Sequence, residues 1–340
     1  MSTHLQNAGL VLALTLVVCA QSGAQAPQSG TQAPQSARSA APAAKSSSGW
    51  TKKTPWGDPD IQGIWNNGTT TPLERPPALA DKTELTPEEF AARKKEDDRR
   101  QAEGETPEQL KQGLGAGPTF WYEIGKTTNR TSMITDPPNG RLPALTPQAQ
   151  KLLEERKQQL SEIPLDKFLW EHQGQWVRCT SRGVPGGTIP TVYNNNYQIL
   201  QVPGYVVISM EMVHETRIIP LDNRPVSPVR RWLGEARGRW EGQTLVVETT
   251  NFHPQTQFNR GPNLMGPDGK VTERFTRTSA TDLDYTFTVD APSTFTRPFS
   301  ASIPMSTVDA PDRIMEYACL EGDQSVRLTI TGLLKQKAGK

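Results

Sequence analysis

The sequence predicts a mainly β fold: an antiparallel meander forming a barrel or a sandwich, preceded by an extended and helical region. Three observations predict it. From Tyr197 onward apolar residues recur with period two, in runs rich in β-branched and aromatic side chains. The links between the runs are short and carry turn chemistry, as at Pro203-Gly204, Asp222-Asn223, Glu241-Gly242 and Pro267-Asp268-Gly269. No helical stretch separates them, which excludes a parallel α/β sheet and leaves about nine or ten strands in succession.

The composition narrows the function classes. Lys and Arg number 37 against 36 Asp and Glu, a net charge of +1, and the longest basic runs are pairs such as Arg230-Arg231. A nucleic-acid surface needs a basic excess or stripe, so nucleic acid is not expected as a partner. The 29 Pro and 27 Gly indicate a turn-rich chain, short of collagen-like or wholly disordered compositions.

In chain order, residues 1–24 read as a signal peptide. Residues 10–20, LVLALTLVVCA, form an apolar stretch too short to span a bilayer, and small-residue cleavage sites follow. Val18 precedes Cys19 where a lipidation site requires Gly, Ala or Ser, so soluble export to the periplasm or medium is expected, with no integral membrane segment in the mature chain. Residues 25–49 are a Pro/Ala/Ser/Gln linker in which QAPQS occurs twice, a composition that cannot offset the entropy of ordering. A single β-rich domain then occupies residues 50–340, with an extended and helical part over 50–175 and an antiparallel part over 176–335. Cys179 and Cys319 remain after signal removal, and an even pair in an exported chain reads as one disulfide. Closing so long a loop stabilises by roughly 4 to 5 kcal/mol in the chain-entropy treatment.

Within the domain, residues 61–65 read as a short strand. Thr86-Pro87-Glu88-Glu89 starts a surface helix reaching about Glu103, with Thr at the N-cap and Pro in the first turn. Thr146-Pro147 starts a second helix in the same way, and a strand is expected near residues 131–134 between them. The β part follows as runs at 197–202, 204–213, 215–221, 235–240, 243–249, 271–276 and 283–289. Further strands are expected at 293–297, 313–319 and 325–331.

The string GRWEGQTLVVETTNF at 238–252, with VVISMEMVHETRIIPLDNRP at 206–225 and EYACLEG at 316–322, resembles a large family of exported bacterial proteins without an assigned activity. The resemblance extends upstream through RTSMITDPPNGRLP at 130–143 and implies no catalytic residues. Gly63-Ile64-Trp65 is similar to the G-x-W that opens the first strand of lipocalin-like barrels, which implies a mild preference for a barrel, although some 130 residues separate it from the main β region.

The candidate chemistry depends on which strand faces point inward. Taken as one strand, residues 206–218 place Ile208, Met210, Met212, His214 and Thr216 on one face and Glu211, Glu215 and Arg217 on the other. A lumenal His214 would serve as general acid or base, or hold a ligand; it also reads as a satisfied core histidine. A lumenal Glu211, Glu215 and Arg217 row would need partners, for which Arg237, Arg239, Glu248, Glu273 and Arg274 are candidates, although alternating charges also read as a solvated face. Trp240, Tyr285, Phe287 and Tyr317 either line a cavity or fill the core. His172, His214 and His253 form no ligand motif, so no metal and no cofactor are expected. The run at 113–117 is glycine-rich without a preceding strand, which makes it a linker rather than a phosphate loop.

The leading expectation is an exported binding protein whose barrel holds a small, largely apolar molecule through His214, Arg217, Arg239, Trp240 and Tyr285. An alternative is an isomerase, lyase or hydrolase using His214 with Glu211 or Glu273. A third reading is an envelope interaction protein.

Overall fold

A computed structural model describes residues 49–103, 123–164, 172–259, 264–308 and 314–319, together with 167 and 331. The stretch read as a signal peptide, all but the last residue of the stretch read as a linker, and the glycine run at 113–117 lie outside the described residues. So does the strand expected over 325–331, except for Thr331, which is helical.

Among the described residues, ten strands form one antiparallel sheet: β1 Gly63–Asn66, β2 Ile134–Asp136, β3 Asn196–Val202, β4 Tyr205–Met210, β5 Thr216–Pro220, β6 Glu235–Glu241, β7 Thr244–Thr250, β8 Lys270–Arg277, β9 Asp282–Asp290 and β10 Phe299–Thr307. Their order is β5-β4-β3-β1-β10-β9-β8-β7-β6, with β2 added beside β10. The chain is thus two meanders joined by β1, whose Trp65 is opposite Tyr197 of β3 on one side and Thr307 of β10 on the other. The nine-strand path curls into a nearly closed barrel rather than a sandwich. Its seam lies between β5 and β6, where no backbone ladder is present among the described residues and side chains make the contact. Gly238 permits this: a Cβ there would stand 2.7 Å from Leu221 Cδ2 and 2.9 Å from Ile219 Cγ2.

Helices α1 (Pro87–Glu103) and α2 (Pro147–Glu162) begin as their sequences dictate. Thr86 and Glu89 exchange side-chain-to-backbone bonds at 2.9 and 3.3 Å in a capping box, and Thr146 Oγ1 accepts from the Ala149 N–H. Helix α1 lies on the surface apart from Asp97, which accepts from Thr70 and Thr127. Among the described residues no helix is long and apolar enough to cross a membrane.

Three expectations are corrected. Residues 206–218 are a hairpin, because Val213 and His214 adopt left-handed φ values of 64° and 53° and turn the chain between β4 and β5. Residues 293–297 form a turn with only an isolated bridge at Phe295, and the strand there is Phe299–Thr307. The described part of the expected 313–319 strand contains no strand; instead it is fastened to the barrel by the Cys179–Cys319 disulfide, which is formed with Cα atoms 5.8 Å apart.

The interior is packed with Trp65, Phe252, Phe275, Tyr285, Phe287 and Phe299, all buried. At the end where β1 begins, the Arg277 guanidinium stacks 3.9 Å from the Trp50 ring and 4.9 Å from Trp65, closing that mouth with a cation held between aromatic faces.

Candidate functional site

The opposite mouth is filled by a loop. Residues 181–189, SRGVPGGTI, are all buried, whereas connecting segments ordinarily run over the surface because their backbone groups need water. Here side chains from the barrel and from the loop itself replace that water. Tyr197 donates to the Gly187 carbonyl at 2.6 Å and Asn67 Nδ2 to the Thr188 carbonyl at 2.7 Å, while the loop's own Arg182 Nη2 donates to the Ile189 carbonyl at 3.1 Å. The Glu215 carboxylate accepts the Arg182 N–H at 2.9 Å. Glycines make the fit: a Cβ on Gly186 would stand 2.8 Å from the Asn259 backbone, and one on Gly187 would stand 2.7 Å from Met210 Sδ.

Beneath this segment lies a buried polar cluster contributed by four strands. Arg217 of β5 meets Glu273 of β8 at two points, 2.9 and 2.5 Å, with side-chain exposures of 3 % and 0 %. Arg217 also donates to Thr249 of β7 at 3.2 Å, and the Tyr285 hydroxyl of β9 donates to Glu273 at 2.9 Å. Thr188 Oγ1 lies 2.7 Å from the same Tyr285 oxygen. Thr188 Oγ1 also donates to the Pro185 carbonyl at 2.7 Å, so its one proton is shared between that carbonyl and the Tyr285 oxygen, while the charged Glu273 carboxylate is the stronger acceptor for the Tyr285 hydroxyl. The cluster therefore joins strands on both sides of the seam to the inserted loop.

The electrostatics follow from burial. Burial opposes the Arg217 charge, but the adjoining Glu273 outweighs it and raises the guanidinium above its usual pKa. Burial pushes the Tyr197 hydroxyl up to about 12 and the Tyr285 hydroxyl well above its usual value, with Glu273 adding to the latter, so both remain hydrogen-bond donors. Burial also raises Glu215, although Ser181 and the Arg182 N–H pull the other way. Glu215 Oε2 and Asn67 Oδ1 are buried acceptors with no partner among the described residues. A core that leaves acceptors unmet forgoes about 1 to 3 kcal/mol each.

The structure brings Arg217, Glu273 and Tyr285 together and places the other candidates elsewhere. His214 does not point into the barrel: it is exposed on the β4–β5 turn, where its Nε2 accepts the Tyr317 N–H at 2.8 Å. Glu211 is buried at the same turn and accepts the Met315 N–H at 2.9 Å, and burial raises its pKa. Arg239 is on the outer face with Glu241 and Glu248, beside the Arg274–Glu241 and Lys270–Glu248 pairs. Trp240 packs against the core from β6, and its buried Nε1 lacks an acceptor among the described residues.

The choice between two lumenal faces disappears with the hairpin. Directly opposed residues share a face, and the register pairs Ile208 with Arg217 and Val206 with Ile219. Ile208, Met210, Glu215 and Arg217 are therefore all buried, where a continuous strand would have divided them. Tyr197, Thr188 and Thr249 carry no motif that would have singled them out, and Asn67 belongs only to the sequon Asn67-Gly68-Thr69, which does not point into the barrel's chemistry. The available signal was the segment SRGVPGGTIP itself, whose glycines, prolines and apolar Val184 and Ile189 include a single charge.

An open cleft of about 530 Å³ lies outside the barrel, lined by Asn66, Gln101, Glu123, Lys126, Asp282 and Thr307 among others. Its carboxylates are engaged: Glu123 accepts from Asn66, Asn194 and Asn195, and Lys126 and nearby hydroxyls hold Asp282 down to about 2. Among the described residues, no three His, Cys, Asp or Glu side chains form a group that could hold a metal ion. Comparison with protein-family profiles and with curated protein sequences returns no match to this chain.

Proposed function

We propose that this chain is an exported binding protein whose barrel takes a small, largely apolar molecule with a hydrogen-bonding end, seated where residues 181–189 now lie. One observation carries the reading: the strands' own side chains do not fill the barrel, and a loop supplies the remainder. Barrels of this strand number commonly enclose a lumen. The groups that meet the loop backbone, Asn67, Tyr197 and Glu215, would present the same donors and acceptors to a ligand, and the unmet oxygens of Glu215 and Asn67 favour one that donates hydrogen bonds. Apolar contact would come from Met210, Phe287 and their neighbours.

Export belongs to the same reading. The apolar stretch at residues 10–20 and the Cys179–Cys319 disulfide both suit an oxidising compartment outside the cytoplasm, as does the resemblance of residues 238–252 to exported bacterial proteins. An acid/base enzyme built on His214 loses its support, because that side chain is at the outer turn.

Native mass spectrometry of protein exported and purified without denaturant tests the proposal. The expected result is a co-purified molecule released on unfolding and retained less well by Tyr197→Phe. Protein that emerges empty, and whose melting temperature does not move with a panel of apolar alcohols and amines, would overturn it.

A second reading, an envelope interaction protein, draws on the outer face of β3, β4 and β5. Leu200, Val207 and Ile218 are opposed in register there, and Leu200 and Ile218 are exposed. It predicts that Ile218→Glu frees the protein from an envelope fraction without changing its melting temperature.

A further inference from the structure

The β4–β5 turn holds two different segments at once. Glu215 accepts the Arg182 N–H at the start of the inserted loop. Four residues and one residue before Glu215, Glu211 accepts the Met315 N–H and His214 accepts the Tyr317 N–H of the C-terminal segment. The Cys179–Cys319 disulfide joins the same two segments covalently, two residues before Ser181 and two after Tyr317. Both cysteines are partly exposed, whereas every residue from 181 to 189 is buried. The bond thus joins partly exposed residues and secures a buried segment. The secured segment leaves Glu215 Oε2 and Asn67 Oδ1 unmet, so its seat in the barrel is less than fully satisfied.

We propose that residues 314–319, the disulfide and the β4–β5 turn form a latch that keeps residues 181–189 in the barrel mouth, and that cleavage of the disulfide by a dithiol releases the loop and opens the interior. The inference rests on the reading of that interior as a ligand site and adds its control. The chemistry is balanced thiol–disulfide exchange. A thiolate of the dithiol attacks one protein sulfur, and the S–S bond breaks to expel the other cysteine as thiolate. The second thiol of the reductant then displaces the first cysteine from the mixed disulfide. Two electrons pass to the protein, both cysteines end as thiols, and the dithiol ends as its own disulfide.

Amide hydrogen exchange on the full chain, oxidised and after dithiothreitol under native conditions, tests the latch. On reduction, peptides covering 181–189 are expected to lose protection about tenfold or more while β8 and β9 keep theirs, a local opening rather than global unfolding. Fluorescence of 1-anilinonaphthalene-8-sulfonate should rise in parallel, and reoxidation should reverse both. In the oxidised protein, the Glu211→Gln/His214→Ala variant should loosen 314–319 while 181–189 stays protected. Unchanged exchange at 181–189 after complete reduction would overturn the proposal. So would loss of protection in β8 and β9 in step with the loop, since the disulfide would then support the whole barrel. The exchange readout needs no bound molecule, so a protein that opens yet binds nothing would count against the ligand reading alone.

Discussion

Arg217 and Glu273 are 56 residues apart, on strands that do not neighbour each other, and meet inside the barrel as a two-point ion pair. The pair reaches from β5 past the seam and past β6 and β7 to β8. It ties together the one place where the sheet lacks a backbone ladder among the described residues, and it forms the floor beneath the inserted loop.

Arg217→Met would leave a buried carboxylate without its counter-charge and should lower the unfolding free energy by about 3 to 5 kcal/mol. The double variant Arg217→Met/Glu273→Leu should recover most of that loss, because two apolar groups need no compensation. Urea unfolding at pH 7 measures both. A single variant costing under about 1 kcal/mol would show that water reaches the pair.

Glu215 gives a pH dependence of defined sign. Its folded pKa is raised above the ordinary 4.5, so the folded chain binds this proton more tightly than the unfolded one. The resulting stabilisation is complete below 4.5 and is lost as pH rises through the raised value. The stability difference between Glu215→Gln and the parent should therefore shift in the variant's favour from pH 4 to pH 8, read from urea midpoints. A difference that is flat with pH would mean that Glu215 titrates as it does in water.

The glycines of the inserted loop should differ in tolerance. Gly183 has φ +76°, and a Cβ there would stand 2.7 Å from the Gln257 carbonyl oxygen, which belongs to the backbone. Gly183→Ala should cost about 1 to 3 kcal/mol. Gly187→Ala meets Met210 Sδ, part of a flexible side chain, and should cost less. Thermal melts rank the two, and the reverse order would show that the loop is not held where Gln257 constrains it.

At the seam, Gly238→Ala should cost about 1 to 3 kcal/mol by forcing β6 away from Ile219 and Leu221. Chemical denaturation measures the loss. A neutral substitution would mean that side-chain packing does not close the barrel there.

Much of this architecture was legible in the chain. The runs from Tyr197 to Val289 alternate as the observed strands do, the links at Gly204 and Gly242 turn where glycine allows positive φ, and the two Thr-Pro helix starts are where they were expected. These features are local, set by side-chain alternation and backbone sterics within a few residues. The pairing of Cys179 with Cys319 was also legible, because the remaining cysteine, Cys19, falls in the apolar stretch that reads as an export signal.

The site was less so. Alternation assigns faces only within an unbroken strand, and the left-handed Val213 and His214, neither of them a customary turn residue, broke the one that mattered. Glu215 and Arg217 consequently joined Ile208 and Met210 inside, and His214 moved to the surface. The sequence by itself determined most strands between Tyr197 and Val289, the tight turns at Gly204 and Gly242, the helix starts and the disulfide pairing, but not β10. Only the tertiary structure decided that β1 bridges two meanders, that Arg217 finds Glu273, and that residues 181–189 lie within the barrel. Those contacts depend on how a sheet of this length closes and how much volume its own side chains leave, which no local pattern encodes.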